Sequence, residues 1–119
     1  LLPVTPPTTR GDFLAVIGDQ GHPFLVDSFT EVNQPDLPQV LTLSIPTFGR
    51  LTPDLLRSDH VPFWRQGLGA VLVTDTANFR NPNYHQPTDT VTTIDRPFFL
   101  GAAQSVIHAT TVLLESQGG

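Results

Sequence analysis

Side chains able to carry acid–base or metal chemistry concentrate in three short segments of this 119-residue chain. The segments read RSDH over residues 57–60, TDT over residues 74–76 and YHQPTDT over residues 84–90. Each segment contains a carboxylate, and two of them also contain a histidine. Imidazole and carboxylate groups together suggest either a zinc site or a general base, and the residue types alone do not decide between the two.

Short apolar runs predict three strands that would position these segments, over residues 12–17, 40–45 and 70–73. A helix is predicted to begin at Pro23 and to end before the prolines at 35 and 38. Its apolar face would hold Phe24, Leu25, Phe29 and Val32. A short helix over residues 59–66 would be capped by Ser58 and ended by Gly67 or Gly69. This alternation of strands and helices favours a parallel or mixed sheet covered by helices.

The last predicted element is a long helix that Asp95 caps, Pro97 opens and Glu115 nearly ends. Its core face is predicted to carry Phe99, Ala103, Val106, Thr110 and Leu113. Residues 47–57 and 75–95 are expected to be loops, and long loops in compact domains are usually functional or disordered. Because ligands bind outside the carboxyl ends of strands in an open sheet, we expect Asp75 and the loop of His85 to share one rim.

The composition argues against several classes of function. The formal net charge is −5 and there is no basic cluster, whereas nucleic-acid binding needs a positive surface. The chain has no cysteine, which removes disulfides and thiolate nucleophiles. No uninterrupted apolar run approaches the roughly 20 residues of a spanning helix, so no membrane partner is expected. Because the chain has no Met, we predict that it comes from a longer product, with a proline-rich linker over residues 1–10 and part of a domain over residues 11–119.

Residues 57–95, RSDHVPFWRQGLGAVLVTDTANFRNPNYHQPTDTVTTID, resemble the closing region of the di-zinc aminopeptidases of metallopeptidase family 28. The resemblance rests on an ordered set of motifs: SDH before an aromatic-rich short helix, a glycine-centred turn into an apolar strand, TDT, and NPNYHxPxDT. GDFLAVIGD and VLTLSIP are similar to the family more weakly. The resemblance therefore covers most of residues 10–115.

In that family two zinc ions are held by a His, a bridging Asp, a Glu, a further Asp or Glu, and a last His, with another Glu as general base. The resemblance implies that His85 is the last histidine ligand rather than a solvated loop residue. It also implies that Tyr84 is the tyrosine that polarises the substrate carbonyl in some relatives, with simple packing of its ring as the alternative. The four remaining candidates would support the metal site or the local structure: Asp59, His60, Asp75 and Asp89.

The other four ligands and the Glu pair have no counterpart here, since Glu31 and Glu115 are the chain's two glutamates and lie on predicted helices. His22 and His108 are assigned no chemistry, and Phe63 and Trp64 are expected to pack in the core or in a pocket wall. The predicted fold is part of a three-layer α/β/α sandwich with a mixed sheet, to which this chain contributes the later strands and the last long helix.

The implied function is zinc-dependent hydrolysis of N-terminal peptide bonds, and zinc and peptide are expected to bind only together with a missing N-terminal half. The alternative is a non-catalytic structural module, derived from the same fold, that associates with itself through uncovered sheet edges. Many relatives in the family are exported, so the resemblance implies a secreted or extracytoplasmic protein.

Overall fold

A computed structural model of the chain describes residues 10–31, 34–76 and 81–117. The regular elements, in chain order, are β1 (Phe13–Asp19), α1 (Pro23–Thr30), β2 (Gln39–Ile45), α2 (His60–Arg65), β3 (Val71–Thr74) and α3 (Arg96–Gln117). Each predicted strand and helix is present. The bounds of the strands, of α2 and of α3 move by at most two residues, and α1 begins at Pro23 as predicted. Nearly all of the predicted proline-rich linker lies outside the described residues.

The three strands form one mixed sheet in the order β2-β1-β3. β1 runs parallel to β2, with Val16 beside Thr42, and antiparallel to β3, with Val16 beside Val73. The central position of β1 follows from its sequence, because a continuous apolar run suits a strand that is covered on both faces. All seven of its residues are buried. The predicted mixed α/β fold is confirmed.

Two apolar clusters lie on opposite faces of β1. On one face, Val16 packs with Phe29 of α1 and Ala109 of α3. On the other face, the next residue, Ile17, packs with Ile45, Leu55 and Trp64 of α2. Neighbouring residues of a strand point to opposite faces, so the sheet separates two helical layers. This arrangement is consistent with part of an α/β/α sandwich.

The predicted apolar faces of two helices are wrong in part. In α1, Val26, Ser28 and Phe29 are buried, whereas Phe24 is 48% exposed. Val32 lies outside the described residues. In α3 the residues turned inward are small: Ser105 and Ala109 are buried, and a Cβ on Gly101 would come within 2.7 Å of the Pro38 ring.

This stripe of Gly101, Ser105 and Ala109 at four-residue spacing lets α3 approach its neighbours closely, since small side chains keep the backbones near each other. The helix is therefore rotated away from the predicted orientation. Three residues of the predicted core face of α3 are exposed, namely Phe99, Val106 and Thr110.

The helix ends follow the sequence except at the start of α2. The Phe98 amide donates to the Asp95 carboxylate at 2.9 Å, so the predicted cap of α3 is confirmed. Gly67 ends α2 with a left-handed backbone, φ 72°. The predicted cap Ser58 is wrong, because Asp59 occupies the N-cap position and its side chain makes no capping bond. The start of α2 is fixed instead by the buried side chains of His60 and Trp64.

The segment predicted as a loop between β2 and α2 contains two short 3-10 helices, Pro46–Gly49 and Pro53–Leu55. A third one, Val91–Thr93, precedes α3. By length and composition, α3 could also cross a bilayer, a criterion that core helices of globular domains meet as well. The sequence had predicted no such segment, since polar residues interrupt the apolar run; the expected absence of a membrane partner stays a prediction.

Candidate functional site

The loop that carries the predicted site residues is a series of tight turns from residue 81 onward. The Tyr84 amide donates to the Asn81 carbonyl at 3.2 Å, and the Asn83 amide donates to the Asn81 side-chain oxygen at 2.9 Å. The Gln86 and Asp89 amides continue the series with turn bonds of 2.9 Å each. Asparagine, proline and aspartate favour such turns, and the sequence NPNYHQPTD is rich in them. The loop is thereby shaped by its own local hydrogen bonds.

His85 is held in an uncommon backbone conformation, with φ 55° in the left-handed region. Few residues other than glycine adopt it, and histidine is among those that do so more often. The half-buried ring of Tyr84 stacks on the exposed imidazole, with centroids 4.0 Å apart and planes 12° apart. The nitrogen lone pair and the N–H of an imidazole lie in the ring plane, so a ring stacked on one face leaves both directions open.

Asp75 and Asp89 line one groove of about 750 Å³ between β3 and α3. Because β3 is antiparallel to β1, the end of β3 meets the start of β1, and Asp12 joins the two carboxylates in this groove. Phe98, Phe99 and Val106 of α3 are among its apolar lining. His85 is outside the described lining. The structure thus brings Asp75 and Asp89 to one groove, while their support of a metal ligand stays a prediction.

Asp59 and His60 lie apart from this groove, at the start of α2. Asp59 is exposed, whereas His60 is buried and hydrogen-bonded through Nε2 to the Leu55 carbonyl at 2.7 Å. Burial lowers the pKa of His60 below its ordinary value, although the Leu55 bond and the charge of Asp59 act in the opposite direction. Of the two aromatic residues that follow, Trp64 is buried in the core as predicted, and Phe63 is 50% exposed.

One pair of functional groups was not anticipated from the sequence. The buried Asp19 carboxylate, at the end of β1, lies 2.8 Å from Nδ1 of His22 and accepts the Gly21 amide at 2.9 Å. A Cβ on Gly69 would come within 2.6 Å of the His22 ring, so the ring packs directly on that turn. The signal was present as an Asp and a His three residues apart around a glycine, at the end of an apolar strand.

The described residues do not by themselves fit a zinc ion. A catalytic zinc usually has three protein ligands. Within residues 10–31, 34–76 and 81–117, no three His, Cys, Asp or Glu side chains lie close enough together to hold a metal. The geometry of His85 suits one ligand, and the others must come from elsewhere if a metal binds.

Comparison with known proteins identifies the family. The model of peptidase family M28 matches residues 10–110, which include both strands of the groove, the turn-rich loop and most of α3. The chain belongs to peptidase family M28. An uncharacterized protein of Escherichia coli (strain K12), YfbL, is 31% identical over 112 residues, which are 91% of this chain and 32% of YfbL. No solved structure matches.

This M28 chain therefore spans about a third of the length of the relative it matches. Peptidases of family M28 are generally zinc-dependent, whereas the described residues of this chain show no metal site. Family membership and the mixed sheet together establish a peptidase-type fold for residues 10–110.

Proposed function

We propose that this M28 chain is part of a zinc-dependent aminopeptidase, in which His85 is a zinc ligand and Tyr84 faces the substrate carbonyl. The observation that carries the proposal is the geometry of the loop: an exposed imidazole in a left-handed backbone, stacked on a tyrosine, in the sequence YHQPTDT. Strained backbone persists where the surroundings enforce it and is common at functional sites. The stack fixes the ring plane before a metal arrives.

If His85 and ligands from a further segment held a zinc ion, that ion would polarise the scissile carbonyl and lower the pKa of a bound water. The residues of this chain would supply one zinc ligand and one hydrogen-bond donor. His85 presents a neutral nitrogen in the plane of its ring. Tyr84, one position earlier, has a hydroxyl that can donate to the oxygen on which negative charge develops. The remaining ligands and the general-base glutamate are proposed to come from a further segment of the same fold.

The sheet supports completion by such a segment. β3 reads VLVT, an apolar run typical of a strand that is covered on both faces, and all four of its residues are only partly buried here. Among the described strands, however, it pairs with β1 alone. The groove beside it is lined by exposed apolar side chains of α3. A partner that adds a strand to β3 and covers Phe99 and Val106 would fill this groove.

The chain by itself is expected to hydrolyse no aminoacyl substrate above background. Its described residues contain no grouped metal ligands, and neither of its two glutamates lies in a Glu-Glu motif. The measurement is release of the chromophore from a leucyl chromogenic substrate with added zinc. The chain is assayed in parallel with the natural protein, whose intact mass and flanking sequence have been determined. Zinc-dependent turnover by a homogeneous sample of the chain would contradict the proposal. A full-length natural protein that contains the remaining ligands and still shows no activity would contradict it as well.

The second candidate function is structural: the chain would be a non-catalytic module that associates with further copies of itself. The observation that favours it is the amount of apolar surface left open, including Phe99, Leu100, Ile107 and Leu114 of α3. Sedimentation of the purified chain is expected to show either self-association that increases with concentration or a complex with a partner that co-purified with the chain. A monomer that stays monomeric at high concentration and unfolds in one sharp transition would argue against both an open edge and a missing segment.

A further inference from the structure

His60 is a buried imidazole whose two ring nitrogens have different surroundings. It is 5% exposed, and Nε2 lies 2.7 Å from the Leu55 carbonyl oxygen. A carbonyl can only accept, so Nε2 carries the proton and Nδ1 is a bare acceptor in the neutral ring. Nδ1 is buried and has no hydrogen-bond partner among the residues that the structure describes. The fold therefore accommodates the neutral ring. A proton added at Nδ1 would find no acceptor among the described residues.

The surroundings of the ring are mainly apolar. The ring meets Trp64 edge to face, with centroids 4.5 Å apart, and Trp64 and Leu55 belong to the cluster with Ile17 and Ile45. The charged side chains of the segment 53–66, which packs around the ring, are all exposed: Asp54, Arg57, Asp59 and Arg65. Asp59 is the charged neighbour that favours protonation, and desolvation outweighs it.

The same contacts connect His60 to the strand that leads into the candidate site. Trp64 donates from its indole nitrogen to the Ala70 carbonyl at 3.0 Å, immediately before β3 begins at Val71. β3 ends at Thr74, and Asp75 in the groove follows directly. His60 thus joins the 3-10 turn at Leu55 to Trp64, and Trp64 joins α2 to the start of β3.

We propose that His60 is an acid-released latch: protonation of its buried ring frees the 53–66 segment from the sheet and loosens the start of β3. The second N–H gained on protonation would have no acceptor in the closed structure, whereas water satisfies it once the segment opens. The latch is independent of the zinc proposal, because it involves only residues that the structure describes around α2.

The direction of the pH effect follows from linkage. The pKa of His60 is lowered in the closed state and returns to about 6.5 when the segment opens, so the closed state binds fewer protons. The stability that the neutral ring provides is fully present above about pH 6.5 and is lost as the pH falls toward the lower pKa of the closed state. In that window the opening constant should rise by up to about tenfold per pH unit.

The test uses the chain's single tryptophan, Trp64, as a fluorescence probe. Emission and far-ultraviolet circular dichroism are recorded from about pH 8 to about pH 4.5, where histidine titrates, for the wild type, His60→Gln and the control His108→Gln. Glutamine can still donate to the Leu55 carbonyl and does not titrate. We expect Trp64 to become solvent-exposed with acid in the wild type and in His108→Gln, and the response to be lost in His60→Gln.

An unchanged acid response in His60→Gln would overturn the latch. Should that variant not fold, the wild type alone decides by nuclear magnetic resonance, since the chain has four histidines to assign. The imidazole of His60 must then titrate below about 6.5, its ordinary value, together with the Trp64 signal. Titration at or above the ordinary value, with Trp64 still buried, would equally rule the latch out.

Discussion

His85→Ala is expected to lower bound zinc by one site and to nearly abolish peptide hydrolysis in the longer zinc peptidase of which we propose this chain to be a part. If His85 is a ligand, its nitrogen lies about 2.0–2.1 Å from the metal, and alanine leaves that position empty. Loss of a metal ligand removes both the metal and the chemistry it supplies. Metal content by mass spectrometry, measured beside steady-state kinetics, reports the two losses separately.

Two variants in the same loop serve as comparisons. Tyr84→Phe keeps an aromatic ring for the stack on His85, so zinc content should be unchanged while kcat falls, since the hydroxyl acts on developing charge. Gln86→Ala removes an exposed side chain from the next position and leaves the backbone turn bonds, so it should change neither quantity. A His85→Ala enzyme with full zinc and full activity would show that the ligand was assigned to the wrong residue.

Trp64→Ala is expected to destabilise the chain by about 3–5 kcal/mol, the usual cost of replacing a large buried aromatic side chain. Trp64 is 2% exposed, packs with Ile17, Ile45 and Leu55, and donates a hydrogen bond to the Ala70 carbonyl. Alanine would leave a cavity and an unpaired carbonyl at the start of β3. Because domains of this size have only about 5–15 kcal/mol of net stability, the substitution would remove a large part of that stability.

The neighbouring aromatic residue provides the matched control. Phe63 is half exposed on the same helix, so Phe63→Ala should cost on the order of 0.5 kcal/mol. Urea unfolding followed by circular dichroism gives the free energy of unfolding of both variants, because this signal does not depend on the indole that Trp64→Ala removes. Equal losses for the two variants would mean that Trp64 is not the anchor of this face of the sheet.

The strands and the ends of α3 were predictable because their signals are local. An apolar run between glycines is enough to identify β1, and an aspartate three residues before the Phe98 amide is enough to place a cap. The direction of β3 was not predictable in the same way. Its antiparallel pairing with β1 depends on the path of the chain through α2, which no local pattern encodes.

The face of α3 was misassigned for a related reason. Periodicity locates large apolar side chains, yet the side of α3 turned inward is marked by Gly101, Ser105 and Ala109, whose value lies in their small size against Pro38 and α1. The candidate site likewise has features that the sequence predicts and features that it does not. The turn residues around His85 follow from composition, whereas the stack with Tyr84 and the shared groove of Asp75 and Asp89 depend on three-dimensional packing.

The antiparallel pairing of β1 and β3 limits which insertions and deletions the chain can tolerate. Removing one residue from β3 would turn its remaining side chains to the opposite face and also draw Asp75 back by about 3.3 Å, the rise of one strand residue. Both the packing and the groove would change at once. Residues 50–54, which are mostly exposed, make no ladder pairing and hold no proposed site residue, can absorb a changed length. We therefore expect evolutionary length variation to concentrate in residues 50–54 and to spare both residues 71–75 and the turns around His85.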